Sequence, residues 1–247
     1  MDVGRTARAA GGLALGALAA QYVPSALALG QWSALTRVPG DLCRWRGPAD
    51  RPAVALTFDD GPDPEGTPAV LDQLDAVGLR ATFFCLGERA ERFDDLVDEI
   101  GRRGHQVEVH GYRHEHHLAR TPSWVGRDLA AAGRAMAGCG VRPRWYRPTY
   151  GQLTGATLLA ARRQGWQLVL WSAWGREWTT TDPADVLFTV SRGLRPGAIV
   201  LLHDSDRFGV PGMARVARGA LAPLAEELAR RGLTAVTLDQ LVASTGR

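Results

Sequence analysis

A parallel α/β fold of the barrel type, distorted and incomplete, is what this sequence predicts, and three observations predict it. From Ala53 onward, seven short apolar runs (VALTF, ATFFCL, HQVEV, RWYR, QLVLW, AIVLL and TAVTL) are separated by helix-length amphipathic stretches such as ERAERFDDLVDEIGRRG and PADVLFTVSRGL. The runs are apolar almost throughout, as parallel strands covered on both faces require. About 195 residues remain for the barrel, short of the roughly 250 of a complete eightfold one, so a (β/α)7-type barrel is expected.

The chain divides into a leading segment, 1–50, and a catalytic domain, 51–247. In the leader, Arg5 and Arg8 precede an Ala/Gly/Leu run from Ala9 to Ala20, then Pro24 and Ala26-Leu27-Ala28, the three regions of an export signal. Gly11, Gly12, Gly16 and the early Gln21-Tyr22 make it a poor membrane span. Its alternative is a helix lying on the domain; a secreted or cell-envelope location, with membrane association through this segment, is favoured over a cytoplasmic one. A linker-like stretch, RGPADRP, leads into the first strand.

The first strand ends in TFDDGP, which sets Asp59 and Asp60 side by side before a Gly-Pro turn. Adjacent acids at a strand's rim read either as a polar turn or as two carboxylates with different tasks, since side chains alternate along a strand. Thr67 before Pro68 reads as a helix N-cap, and Gly78 and Gly104 as helix stops. Cys85 lies in an apolar run and reads as core; with Cys43 and Cys139 it gives an odd count without metal-binding spacing. His105 begins a strand and reads as structural.

Polar residues then recur at the C-terminal ends of the predicted strands: Asp59 and Asp60, His110, Arg147, Trp171 to Trp178, and His203-Asp204. In a parallel barrel those ends share one face, where active sites form. His110, His114, His116 and His117 put four of the six histidines into eight residues, a metal-site composition. His110 and His114, four apart, reach one ion together; with Asp60 they make a two-His, one-carboxylate set with positions open for water and substrate. His116 and His117 read as solvated surface residues. Trp171, Trp174 and Trp178 serve core packing or sugar stacking equally well.

Composition sets further limits. The chain has 247 residues, 45% hydrophobic, and a net charge of +3, with neither Lys nor Asn. Schiff-base and P-loop lysine chemistry and N-glycosylation are thereby excluded. The arginines are scattered among acids along the sequence, which argues against a nucleic-acid partner.

TFDDGP, the paired histidines of HGYRH, RPTYG, the tryptophan-rich WSAWGREW and LLHD follow one another in the order and approximate spacing of the five motifs of the NodB-like polysaccharide deacetylases, carbohydrate esterase family 4. The resemblance spans roughly Ala53 to Leu238. It implies that Asp59 is the general base, His203 the general acid, and Asp60, His110 and His114 the ligands of one divalent metal ion, zinc first, with cobalt, manganese or nickel as substitutes. It further implies that Arg147 orients Asp59, that Glu177 stands where the family has an aspartate pairing with that arginine, and that the backbone N–H of Tyr150 holds the oxyanion. Trp178 and Leu201 would line the pocket for the acetyl methyl, and Asp204 is a candidate for keeping His203 protonated. Three residues depart from the common pattern: Trp174 in place of an acid, Gly111 in place of a hydroxyl residue, and Val109 in place of asparagine.

The reading that follows is a metal-dependent hydrolase removing N-acetyl, or alternatively O-acetyl, groups from a carbohydrate. Its alternatives are a deformylase or deacetylase of a small or lipid-linked amino sugar, a non-catalytic glycan-binding relative, and a metal-free glycosidase using Asp59 and Glu177 as its carboxylate pair.

Overall fold

The structure, a computed structural model, describes residues 43–243. The export-like leader up to residue 42 lies outside the described residues. Eight parallel strands make one curled sheet: β1 (Ala53–Asp59), β2 (Thr82–Cys85), β3 (Gln106–Val109), β4 (Trp145–Tyr146), β5 (Gln167–Leu168), β6 (Ala173–Trp174), β7 (Ile199–His203) and β8 (Thr234–Val236). Their order is β5-β4-β3-β2-β1-β7-β6, with β8 added beside the N-terminal half of β1. The expected distorted, incomplete parallel barrel is therefore what the chain forms.

Seven strands were expected and eight are found, because QLVLW does not run on as one strand. Leu170 N–H is captured by Arg44 C=O at 2.7 Å, and two residues later Ser172 N–H bonds Ile199 C=O at 2.9 Å. The chain thus changes partner at Trp171, leaving β5 and starting β6 against β7. No ladder joins β5 to β6 among the described residues. Instead the segment just before β1 fills the wall, Arg44 bridging to Val169 in parallel and Arg46 to Ala198 in antiparallel fashion.

Alternation within the strands decides what faces where. Val54, Leu56 and Phe58, like Phe83, Cys85, Val109, Val200 and Leu202, belong to the main apolar core, which also takes in the inner faces of the helices. The opposite parity, Ala55, Phe84, Trp145, Val169 and Ile199, forms a smaller cluster closed by Leu238 and Leu241. Truncating a fully buried member such as Phe58 to alanine would cost about 3–5 kcal/mol. Continued one or two positions along the second parity, the same strands deliver Asp59, His110, Arg147 and His203 to one end of the barrel. Glu108 shares this parity. Its carboxylate takes the N–H groups of Arg144 (2.9 Å) and Trp145 (2.7 Å) and the amide of Gln106 (2.6 Å), tying β3 to β4, while burial pushes its pKa up to about 8.

The helices follow their caps. Helix α1 (Gly66–Ala76) ends before Gly78 at φ +66°. Gly104, at φ +79°, follows α3 (Asp94–Arg102) in the same way, so both expected stops hold. The expected stretch from Glu88 to Gly104 divides, since a short α2 (Gly87–Ala90) precedes α3 and Phe93 leaves helical geometry. Thr67 is not the N-cap of α1, which Glu65 occupies. It lies inside the helix, where its hydroxyl donates to Asp204 Oδ2 at 2.5 Å and accepts from Asp63 N–H at 2.7 Å. The remaining helices that matter here are α4 (Pro122–Gly138), capped by Thr121, and α5 (Gly155–Arg163), capped by a Thr154/Thr157 box. No helix among the described residues is long and apolar enough to cross a membrane.

Candidate active site

At the C-terminal strand ends lies a cleft of about 550 Å³. Asp59, Asp60, His110, His114 and His203 line it together, although 144 positions separate the first from the last. Strict alternation would turn Asp60 away from Asp59. Asp60 instead adopts φ +80°, a left-handed conformation that Asp tolerates better than most residues, and both carboxylates reach the cleft.

Asp60, His110 and His114 bring one ligand atom each to within 4.8 Å of one another. Asp60 Oδ1 stands 3.2 Å from His114 Nε2 and 3.5 Å from His110 Nε2, yet is buried without a hydrogen-bond partner. The reason is legible in His110. Its Nδ1 lies 2.8 Å from Arg147 C=O, an acceptor, so in the neutral ring Nδ1 carries the proton and Nε2 presents a lone pair. The His110 lone pair, the His114 Nε2 beside it and an orphaned carboxylate oxygen, gathered around one point, fit a divalent cation with open coordination positions.

Asp59 has a different environment. Arg147 Nη1 donates to its Oδ1 at 2.7 Å and also to Thr57 Oγ1 at 2.7 Å, while Nη2 reaches Leu170 C=O at 3.2 Å. The guanidinium is fully buried, stacked over Phe84 at 4.1 Å. One oxygen of Asp59 is thereby fixed. The other, Oδ2, faces the cavity 3.8 Å from His110 Nε2.

Glu177 does not pair with Arg147. Its Oε1 accepts the backbone N–H of His203 at 2.8 Å and lies 3.4 Å from His203 Nδ1. Burial would depress the His203 pKa, but the Glu177 carboxylate, with the charges of Asp60 and Asp59, more than offsets it and raises it to about 9. Glu177 is fully buried and is not a lining residue of the cleft, which removes the carboxylate-pair glycosidase reading. Asp204 does not take the place of Glu177: its carboxylate turns to Thr67, and burial pushes its own pKa up to about 7.

The tryptophans are resolved in favour of the cleft. Trp171, Trp174 and Trp178 all line it, in a chain of ring contacts (6.2 Å, then 5.6 Å) that ends on His203 at 5.5 Å. Leu201 lies at its floor. Tyr150 stands at the rim, 46% exposed and at φ +56°, with its ring flat on His116 (3.6 Å) and edge-on to His114 (4.4 Å). His116 is exposed, as expected. His117 is not: it is fully buried against Thr157, with burial lowering its pKa to about 4, because the short helical turn at His117–Ala119 folds it inward.

Sequence reasoning missed Phe208, which stacks on His114 at 4.4 Å and lines the wall opposite Tyr150 with Val210 and Met213. It sits in a loop without periodicity, so no local signal marks it.

Comparison with known proteins agrees with this geometry. The profile of the polysaccharide deacetylase family matches residues 46–169, half of the chain. A peptidoglycan-N-acetylglucosamine deacetylase of Bacillus cereus is 31% identical over 86% of this chain and 76% of its own. A chitooligosaccharide deacetylase of Bradyrhizobium is 34% identical over 76% of this chain and 90% of its own. The crystal structure of the Bc1960 peptidoglycan N-acetylglucosamine deacetylase, bound to an N-hydroxybenzamide, superposes with a TM-score of 0.75 at 30% identity, covering 83% of this chain and 95% of that one. Fold, cleft and relatives agree: the chain belongs to the polysaccharide deacetylases of carbohydrate esterase family 4 and is a carbohydrate deacetylase.

Proposed function

We propose that the chain removes N-acetyl groups from N-acetylglucosamine units of a cell-envelope glycan of the peptidoglycan or chitooligosaccharide type. The observation that carries this is the division of labour between two adjacent carboxylates, Asp60 facing two imidazoles and Asp59 held by Arg147. Asp60, His110 and His114 would hold one divalent ion, zinc by preference for a two-His, one-carboxylate set, which polarises the amide carbonyl and acidifies water.

Asp59 takes the proton of the attacking water on its free oxygen, because Arg147 has engaged the other and fixed the plane of the carboxylate. The backbone N–H of Tyr150 donates to the oxyanion. His203, protonated to about pH 9 through Glu177, delivers a proton from its cleft-facing ring nitrogen to the departing amine. An amine is expelled from a tetrahedral intermediate only after protonation, so a strongly basic imidazole suits an amide substrate. Trp178 and Leu201 enclose the acetyl methyl, and the apolar wall excludes water from the remaining approaches.

The similar proteins named above are peptidoglycan-N-acetylglucosamine and chitooligosaccharide deacetylases, and the signal-like segment within 1–50 supports an extracytoplasmic location. The test is acetate release from N-acetylchitohexaose and from peptidoglycan fragments, before and after chelation and after restoring zinc. Deacetylation that stops on chelation and returns with the ion is expected. Activity indifferent to chelation, or release of formate alone from formylated amino sugars, would overturn this reading.

A further inference from the structure

The arginines, scattered among acids over the chain as a whole, outnumber them in one stretch. Between Tyr112 and Leu170 the chain carries nine arginines and two acids. Arg147 is buried, Arg120 pairs with Glu115 (2.7 Å) and Arg144 with Asp239 (3.0 Å). Asp128 is buried as well, its carboxylate taken by the N–H groups of Tyr112 and Arg113. The other six, Arg113, Arg127, Arg134, Arg142, Arg162 and Arg163, are exposed, with no carboxylate at ion-pair distance among the described residues.

Their arrangement is specific. Arg127 and Arg134 lie two turns apart on one face of α4, about 10 Å from one another along its axis. With Arg113 they rim a shallow depression of about 260 Å³ that is lined as well by Tyr112, Trp124, Ala131 and the largely buried Asp128. The end of α5 abuts the same helix at Gly133, where an added Cβ would stand 2.7 Å from Gln164 Oε1. Like charges brought together without ion-pair partners cost stability, and among the described residues the buried Asp128 beside Arg113 offsets only part of that charge. Glu91 reaches the edge of this depression, where the Tyr112 hydroxyl donates to its Oε2 at 2.9 Å, while Asp94, Asp95 and Asp98 lie on α3.

The depression and the cleft share a loop, on which Tyr112 and Arg113 line the one and His110 and His114 the other. We propose that this face binds the anionic groups of an acidic glycan, carboxylates in the case of peptidoglycan, while one of its N-acetylated sugars occupies the cleft. The proposal rests on the deacetylase reading. A concave, arginine-rimmed depression ending at the active-site loop suits a strand passing through it better than a planar lipid surface. Guanidinium forks pair bidentately with carboxylates.

The test uses the full chain and the double variant R127E/R134E, with R127Q/R134Q as a milder second variant. Co-sedimentation with insoluble peptidoglycan at low salt should weaken about tenfold or more in R127E/R134E, and added salt should weaken the wild type toward the same level. With soluble peptidoglycan fragments KM should rise while kcat stays; with neutral N-acetylchitohexaose neither should change. Unchanged sedimentation, or equal changes on the charged and neutral substrates, would overturn the proposal. So would loss of binding to phosphatidylglycerol vesicles with peptidoglycan binding intact, which would make the face a membrane surface. If the wild type released acetate from neither substrate, the deacetylase reading would fail, while sedimentation would still decide whether this face binds the glycan.

Discussion

Glu177 is bonded to His203 and not to Arg147. The carboxylate accepts the His203 backbone N–H at 2.8 Å and faces its Nδ1 at 3.4 Å, while Arg147 spends its donors on Asp59, Thr57 and Leu170. The proposed base and the proposed acid of the cleft are therefore hydrogen-bonded by separate partners.

Glu177→Gln should act on the acid. Burial alone lowers the His203 pKa and the Glu177 charge does most to reverse this, so removing the charge should bring the pKa down from about 9. The basic limb of the kcat/KM profile should move to lower pH by more than about one unit, with metal content unchanged. A profile that stays in place would show that His203 does not set that limb.

Asp59→Asn and His114→Ala should separate base from ligand. Asp59→Asn leaves the Asp60, His110 and His114 cluster intact, so zinc content should remain near that of the wild type while kcat falls by about 10²–10⁴. His114→Ala removes one of three protein ligands, and the ion should be lost readily to a mild chelator. Full metal occupancy in His114→Ala would remove that residue from the ligand set.

His203→Ala should discriminate between leaving groups. Deacetylation of an N-acetylated sugar should fall by about 10²–10⁴, whereas hydrolysis of an activated acetate ester, whose phenolate leaves unaided, should fall by about tenfold or less. Both rates are to be measured at metal saturation. Equal losses would mean that His203 supports the fold or the oxyanion rather than supplying the proton.

His117 links stability to pH. Its folded pKa of about 4 lies below the ordinary 6.5, so the unfolded chain takes up a proton that the folded chain refuses. The stability this contributes is present above about pH 6.5 and is lost as pH falls toward 4, up to about 3 kcal/mol. His105, also depressed to about 4 by burial, acts in the same direction. Thermal denaturation from pH 7 down to 4.5 should show a falling midpoint, with a shallower fall in His117→Gln. An identical slope in the variant would remove His117 from the account.

The sequence by itself determined the parallel barrel, because continuous apolar runs punctuated by amphipathic helices admit few other folds. It also determined that Asp59, Asp60, His110, Arg147 and His203 share one end of that barrel, since each follows a strand and parallel strands end together. Pairwise partnerships were a different matter. Which carboxylate meets His203, whether His117 faces water or core, that Thr67 bonds Asp204 instead of capping a helix, and that Phe208 covers His114 all depend on how loops from distant strands cross. Strand β6 arises from the same cause, a change of hydrogen-bonding partner between Leu170 and Ser172 that depends on Arg44 filling the wall. Periodicity encodes the direction of a side chain relative to its own strand or helix. Distances between side chains on different elements are fixed only when the packed core sets those elements against one another.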